Sequence, residues 1–167
     1  MFTIHDLLTE LDYEAPTTRQ VLARVPEARL DWRPYEKSLT LGQLAMHVAI
    51  IPGAIAEMST QPTLDATVPI PRPTASTVAQ LGKTLDDSLA KAHALLGAMT
   101  DADLAKPWRA MVGKEVVREL SRGQLLRSMM FNHWYHHRGQ LLVYLRGAGA
   151  LVPAVFGPSA DESAPPR

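Results

Sequence analysis

The sequence predicts an all-α protein, a four-helix bundle with a long Pro-rich connection between helices two and three. Three observations carry that reading. Four segments repeat apolar residues at the three-to-four-residue spacing of one helix face. Three of them open on a hydroxyl residue with a glutamine three positions on, as a capped helix start does. The link at 60–74 holds Pro62, Pro69, Pro71 and Pro73, and so belongs to no helix.

The elements follow in order. Helix one is predicted over 4–24, with Leu7, Leu8, Leu11, Ala15, Val21 and Leu22 on its stripe. Pro16 lies inside it and predicts a kink or a broken turn. An irregular link containing Trp32-Arg33-Pro34 follows. Helix two is predicted over 41–58, with Leu44, Val48, Ile51, Ile55 and Met58 in a stripe and Pro52 as an interruption. Thr40 and Gln43 cap it. The fifteen residues of 60–74, extended at about 3.3 Å each, reach roughly 50 Å. A helix of ~18 residues is only about 27 Å long. The link is therefore long enough to cross the bundle and make helices two and three parallel, and an antiparallel return is equally permitted. Thr77 and Gln80 open helix three, predicted over 78–99. Residues 108–117, centred on Gly113, form a short β-hairpin or a loop. Ser121 and Gln124 open helix four, predicted over 122–146, and Gly147 closes it. The chain after Gly149 is Pro-rich and irregular. One domain is expected over 1–162, with 163–167 a disordered tail.

Lys plus Arg equal Asp plus Glu at 17 each, so no basic surplus supports binding to nucleic acid or an acidic membrane. There is no cysteine, which removes disulfides, thiolate ligands and thiol nucleophiles and fits a cytoplasmic protein. The N-terminus shows no signal-peptide pattern, and no apolar run reaches the ~18 residues that span a bilayer.

The chemistry concentrates in His133-Trp134-Tyr135-His136-His137. His133 and His137 are four residues apart, about 400° around a helix, so their rings leave nearly one face. Two imidazoles held that way are half of a metal site. His136, three residues from His133, competes for one place, although the i+4 overlap favours His137. His47 is the natural third ligand, a polar ring on the apolar stripe between Leu44 and Ile51. Three imidazoles from two helices leave open coordination positions. Zinc with a water suits that set, and nickel, iron(II) or manganese also tolerate it. Against this stand the ordinary readings: His47 as a hydrogen-bonded core residue, and H-x-x-x-H as a surface spacing. Arg138 reads as a structural ion-pair partner, and Tyr135 and Tyr144 as packing residues within reach of the site. His5 and His93 read as ordinary residues. The chain has no H-E-x-x-H, G-x-S-x-G, P-loop or G-x-G-x-x-G, and no Glu-x-x-His of the di-iron kind. No catalytic residue is assigned.

Trp32-Arg33-Pro34, Ser38, the segment Gly42-Gln43-Leu44-Ala45-Met46-His47, and His133-x-x-x-His137-Arg138-Gly139-Gln140 together resemble the DinB/YfiT-like family. The tail from Val152 to Glu162 resembles one common there, with Phe156 where Tyr is frequent. The resemblance covers nearly the whole chain. It implies a four-helix bundle and a divalent metal on His47, His133 and His137. It also implies frequent homodimers and a small-molecule substrate, with no contact to DNA. The family is similar to thiol-dependent enzymes, among them bacillithiol transferases and mycothiol-dependent maleylpyruvate isomerases. The implied reaction is therefore a metal-dependent transfer to a low-molecular-weight thiol, or a hydrolysis. The alternative is a non-catalytic protein that binds a metal or small ligand.

Overall fold

Each apolar stripe becomes a rod whose start is fixed by a side-chain cap. The computed structural model describes residues 2–163, so residues 164–167 of the expected disordered tail lie outside the described residues. Helix α1 is Ile4–Ala23, α2 is Leu41–Thr60 and α3 is Val78–Gly97. The fourth rod is compound: α4, Arg122–Leu125, runs into a π-helical segment, Leu126–Asn132, and then α5, His133–Gly147. Reciprocal capping boxes form at Thr3/Asp6, Thr40/Gln43 and Ser121/Gln124. Thr77 accepts from the Gln80 amide, but the Gln80 side chain turns to the Ser76 amide, so this cap is one-sided.

The contacts fix the directions of the rods. Ala75 meets Gly42, Ser88 meets Ile50 and Gly53, and Lys91 meets Glu57. Numbers rise together along both helices, so α2 and α3 are parallel and the 60–74 link crosses back over the bundle. Against α3, α1 runs the other way: Arg19 pairs with Asp86, and Asp12 with His93. Trp134 reaches Val48 while Leu125 packs near Met58, which makes the fourth rod antiparallel to α2. The order is up, down, down, up, with one long crossover.

One apolar core joins the rods; Leu11, Leu44, Ile51, Leu85, Trp134 and Leu141 are all buried in it. Gly53 marks a close approach between α2 and α3. A Cβ there would lie 2.8 Å from the Ser88 carbonyl oxygen, and the Gly53 amide donates to Ser88 Oγ at 2.8 Å. Trp32 anchors the first link by meeting Tyr144 edge-on, with ring centroids 5.8 Å apart. The same indole covers Gly147, where a Cβ would stand 2.6 Å from the ring. Contrary to the expectation that no apolar run is long enough to span a bilayer, helix α2 is long and apolar enough to cross one by length and composition, yet it is mostly buried among its neighbours, as a core helix is.

The all-α expectation needs correcting, because a small sheet stands beside the helices. Strands β1 (Thr63–Asp65), β2 (Pro107–Val112) and β3 (Glu115–Ser121) are ordered β1-β2-β3. The hairpin is real: β2 and β3 are antiparallel and turn through Gly113 and Lys114. Gly113 has φ 58, a conformation that favours glycine, at the first position of a two-residue turn. Strand β1 pairs parallel to β2 and is only three residues long. So short a strand has no periodicity to read; it forms because the edge of β2 offers unpaired backbone groups. Under the sheet, Trp108, Ala110 and Leu125 make a small second core. Pro16 does not end a turn, and α1 runs on through it.

Candidate metal centre

Two helices deliver the three predicted rings to one place. His47 leaves α2, and His133 and His137 leave α5 one turn apart. One ring nitrogen from each lies within 4.8 Å of the other two. His47 Nε2 and His133 Nε2 are 3.3 Å apart. Two ligands at about 2.05 Å in tetrahedral array are separated by about 3.3 Å, so this pair is at bonding distance for a shared ion. His136 is outside the group: it is exposed and meets His137 edge-on, with ring centroids 4.9 Å apart. His93 pairs with Asp12 elsewhere on the surface.

Second partners fix which nitrogen faces inward. His133 Nδ1 is 3.3 Å from the Met129 carbonyl oxygen, and His137 Nδ1 is 2.9 Å from Gln140 Oε1. Both contacts are with acceptors, so each Nδ1 carries the proton and each Nε2 presents its lone pair. Lone pairs brought this close repel unless a proton or a cation lies between them. One proton could relieve the His47–His133 pair, whereas three converging rings suit a cation. Burial lowers the pKa of all three imidazoles. His47 falls to about 4, through burial first and then the His137 and His133 rings and Arg72. Neutral rings at neutral pH are what metal ligation requires. The donor set fits a first-row divalent ion.

Local backbone chemistry sets this geometry. Pro52 has no N–H, so it cannot bond the Val48 carbonyl one turn back. Trp134 Nε1 takes that carbonyl instead, at 2.9 Å. The bond ties the residue after His47 to the residue after His133. Just before His133 the helix is π-helical. The His133 amide bonds the carbonyls of Ser128 and Met130, passing over Met129, whose carbonyl meets the His133 ring. Ser128 Oγ donates to the Gln124 carbonyl at 2.8 Å, a side-chain intrusion that loosens the helical ladder there.

The rings open onto a pocket of about 340 Å³. Gln43 and Met129, each one turn before one of the converging histidines, line it with those rings. Leu39 closes one side, and Ile70, Pro71, Arg72 and Pro73 of the crossover link form the roof. Among the described residues, no carboxylate lines it. On the far side of α5, Arg138 is buried with Nη2 2.7 Å from Glu14 Oε2, in ion-pair contact outside hydrogen-bond alignment. It donates to Thr18 Oγ1 and lies over the Tyr135 and Phe156 rings. Tyr135 donates to Glu10 at 2.5 Å; burial, then that bond, raises its pKa far above the phenol range. Both residues hold the bundle together and neither faces the rings. The sequence reading assigned no place in the site to Met129 or Arg72, and it took Gln43 as a cap and Gln43 and Gln140 as parts of the family motifs without a role at the rings. For Gln140 the available signals were that motif and a polar amide three residues beyond His137.

The DinB family profile matches residues 1–167. This chain belongs to the DinB family. The uncharacterized protein YrdA of Bacillus subtilis (strain 168) is 29% identical over 167 residues, covering 96% of this chain and 92% of its own length. A DinB-like protein from Bacillus cereus ATCC 10987 superposes with TM-score 0.67 at 26% identity, over 92% of this chain and 98% of that one. A putative DinB family member from Exiguobacterium sibiricum 255-15 gives TM-score 0.55 at 25% identity, over 86% and 93%. The DinB fold therefore extends over nearly the whole chain.

Proposed function

We propose that this DinB protein is a divalent-metal-dependent enzyme that presents a water or a low-molecular-weight thiol to a small-molecule substrate. One observation carries the reading: three neutral imidazoles converge at the base of an open pocket that supplies no fourth ligand. His47, His133 and His137 would hold the ion, zinc or nickel before iron or manganese. An ion there supplies a Lewis acid that activates an incoming water or thiol near neutral pH. The Met129 carbonyl and Gln140 hold the His133 and His137 rings so that their Nε2 atoms face the pocket. Leu39, Ile70 and Met129 give the pocket an apolar wall that limits water. Because no carboxylate lines it, no side chain there takes a proton from water as a strong base would. A thiol ionises far more readily, so the pocket favours thiol transfer over hydrolysis.

The same reading carries a cytoplasmic location and a homodimer, supported by the lack of cysteine and by the family. Metal reloading of tag-free protein, with elemental analysis, tests the site. About one equivalent bound, lost in His47→Ala while the fold persists, supports a catalytic centre. Collapse of the His47→Ala fold would instead make the ion structural, the non-catalytic reading. Uptake of less than about a tenth of an equivalent would end both readings. Sedimentation velocity tests the dimer.

A further inference from the structure

The pocket joins an apolar wall to a single permanent positive charge. Among the described residues, Arg72 is the one charged side chain in its lining once the histidines are neutral. It makes no ion pair among the described residues, although Arg19, Arg24, Arg109, Arg127, Arg138 and Arg146 all do. It sits between Pro71 and Pro73, whose fixed φ angles limit how far its backbone can move. Its charge is near enough to His47 to oppose protonation of that ring. Gln43 adds a neutral donor. Its Oε1 is held by the Thr40 amide at 2.9 Å, which leaves the Nε2 hydrogens unpaired among the described residues. Among the described residues, no anionic side chain lines the pocket.

We infer that the pocket binds a small organic oxyanion with an apolar body, its head on Arg72 with Gln43 as second donor and its body against Leu39, Ile70 and Met129. A guanidinium matches the planar, two-oxygen edge of a carboxylate or the oxygens of a phosphoryl group. The inference rests on the proposed function in taking this pocket as the substrate site, but the anion preference itself does not require the ion. It names a specificity determinant on the link, outside the helices that carry the histidines.

Calorimetric titration with hexanoate, hexylphosphonate and hexanamide tests it on zinc-loaded and on chelator-treated full-length protein. The oxyanions should bind at least about tenfold tighter than the amide, the size of a charge-assisted hydrogen bond. The tighter of the two oxyanions identifies the head group. Arg72→Gln should bring all three ligands to parity, and Arg72→Lys should keep part of the preference. Arg72 is exposed, so both variants should melt like the parent. Chelator-treated protein should retain the Arg72-dependent preference. A preference that survives Arg72→Gln but disappears with the metal would place the anion on the ion and overturn the inference. Equal binding of hexanoate and hexanamide, or no binding by either, would also overturn it. Failure of the protein to take up zinc would defeat the proposed function alone, since the Arg72 comparison is still read in chelator-treated protein.

Discussion

His133 and His137 each hold one ring nitrogen on an acceptor and turn the other inward. That division of labour predicts the effect of Gln140→Ala. Freed of its partner, His137 can rotate and change tautomer, and metal affinity should fall about 10–100-fold by competition with a chromophoric chelator. The folding free energy of the apoprotein should hardly change, because Gln140 is not part of the core. Acid titrates the same residues. His47 has its folded-state pKa lowered from 6.5 to about 4, so between those values the unfolded chain binds the proton and the folded one resists it. Stability is therefore full above about pH 6.5 and declines as pH falls toward 4. Melting curves of apoprotein across that window should show the decline, and His47→Ala should flatten it. A steeper slope in the variant would contradict this assignment. The convergence of the three rings was legible in the sequence because a spacing of four and a polar ring on an apolar stripe are side-chain signals. The Met129 carbonyl was not, since a backbone acceptor leaves no mark in the residue type.

Helices α2 and α5 meet through a bond that exists because a proline is present. Trp134→Phe keeps an aromatic ring, smaller than the indole, but removes the donor to the Val48 carbonyl, which Pro52 cannot replace. A buried acceptor left unpaired costs about 1–3 kcal/mol, read as a lower denaturation midpoint. In the Trp134→Phe background, Pro52→Ala should recover part of that loss by restoring an in-helix N–H. A double-mutant cycle showing no coupling would refute the link between the two residues. At this scale the sequence was informative about rods and starts, because caps and stripes are local. It was silent on the π-helical segment, where Ser128 bonds back to the Gln124 carbonyl within an otherwise regular pattern. It was silent on β1 for the opposite reason: those three residues take their form from β2.

Across the whole molecule, the parallel course of α2 and α3 was one of two outcomes that chain length permitted, and interhelical packing at Gly53 and Ser88 decided it. Gly53→Ala should separate those helices, at about 1–3 kcal/mol by chemical denaturation. On the opposite side, Arg138→Met leaves Glu14 buried without its cation and should cost about 3–5 kcal/mol, whereas Arg138→Met with Glu14→Leu should cost much less. The crossover that makes α2 and α3 parallel is also the pocket's roof, and residues 70–73 belong to no helix or strand. Rods and roof thus carry different constraints. Substitution among the histidine-bearing turns disturbs packing on every side, while drift in the strap alters only what lies beneath it. Descendants of such a scaffold can exchange one cargo for another by rewriting four residues overhead, and keep an inherited floor intact.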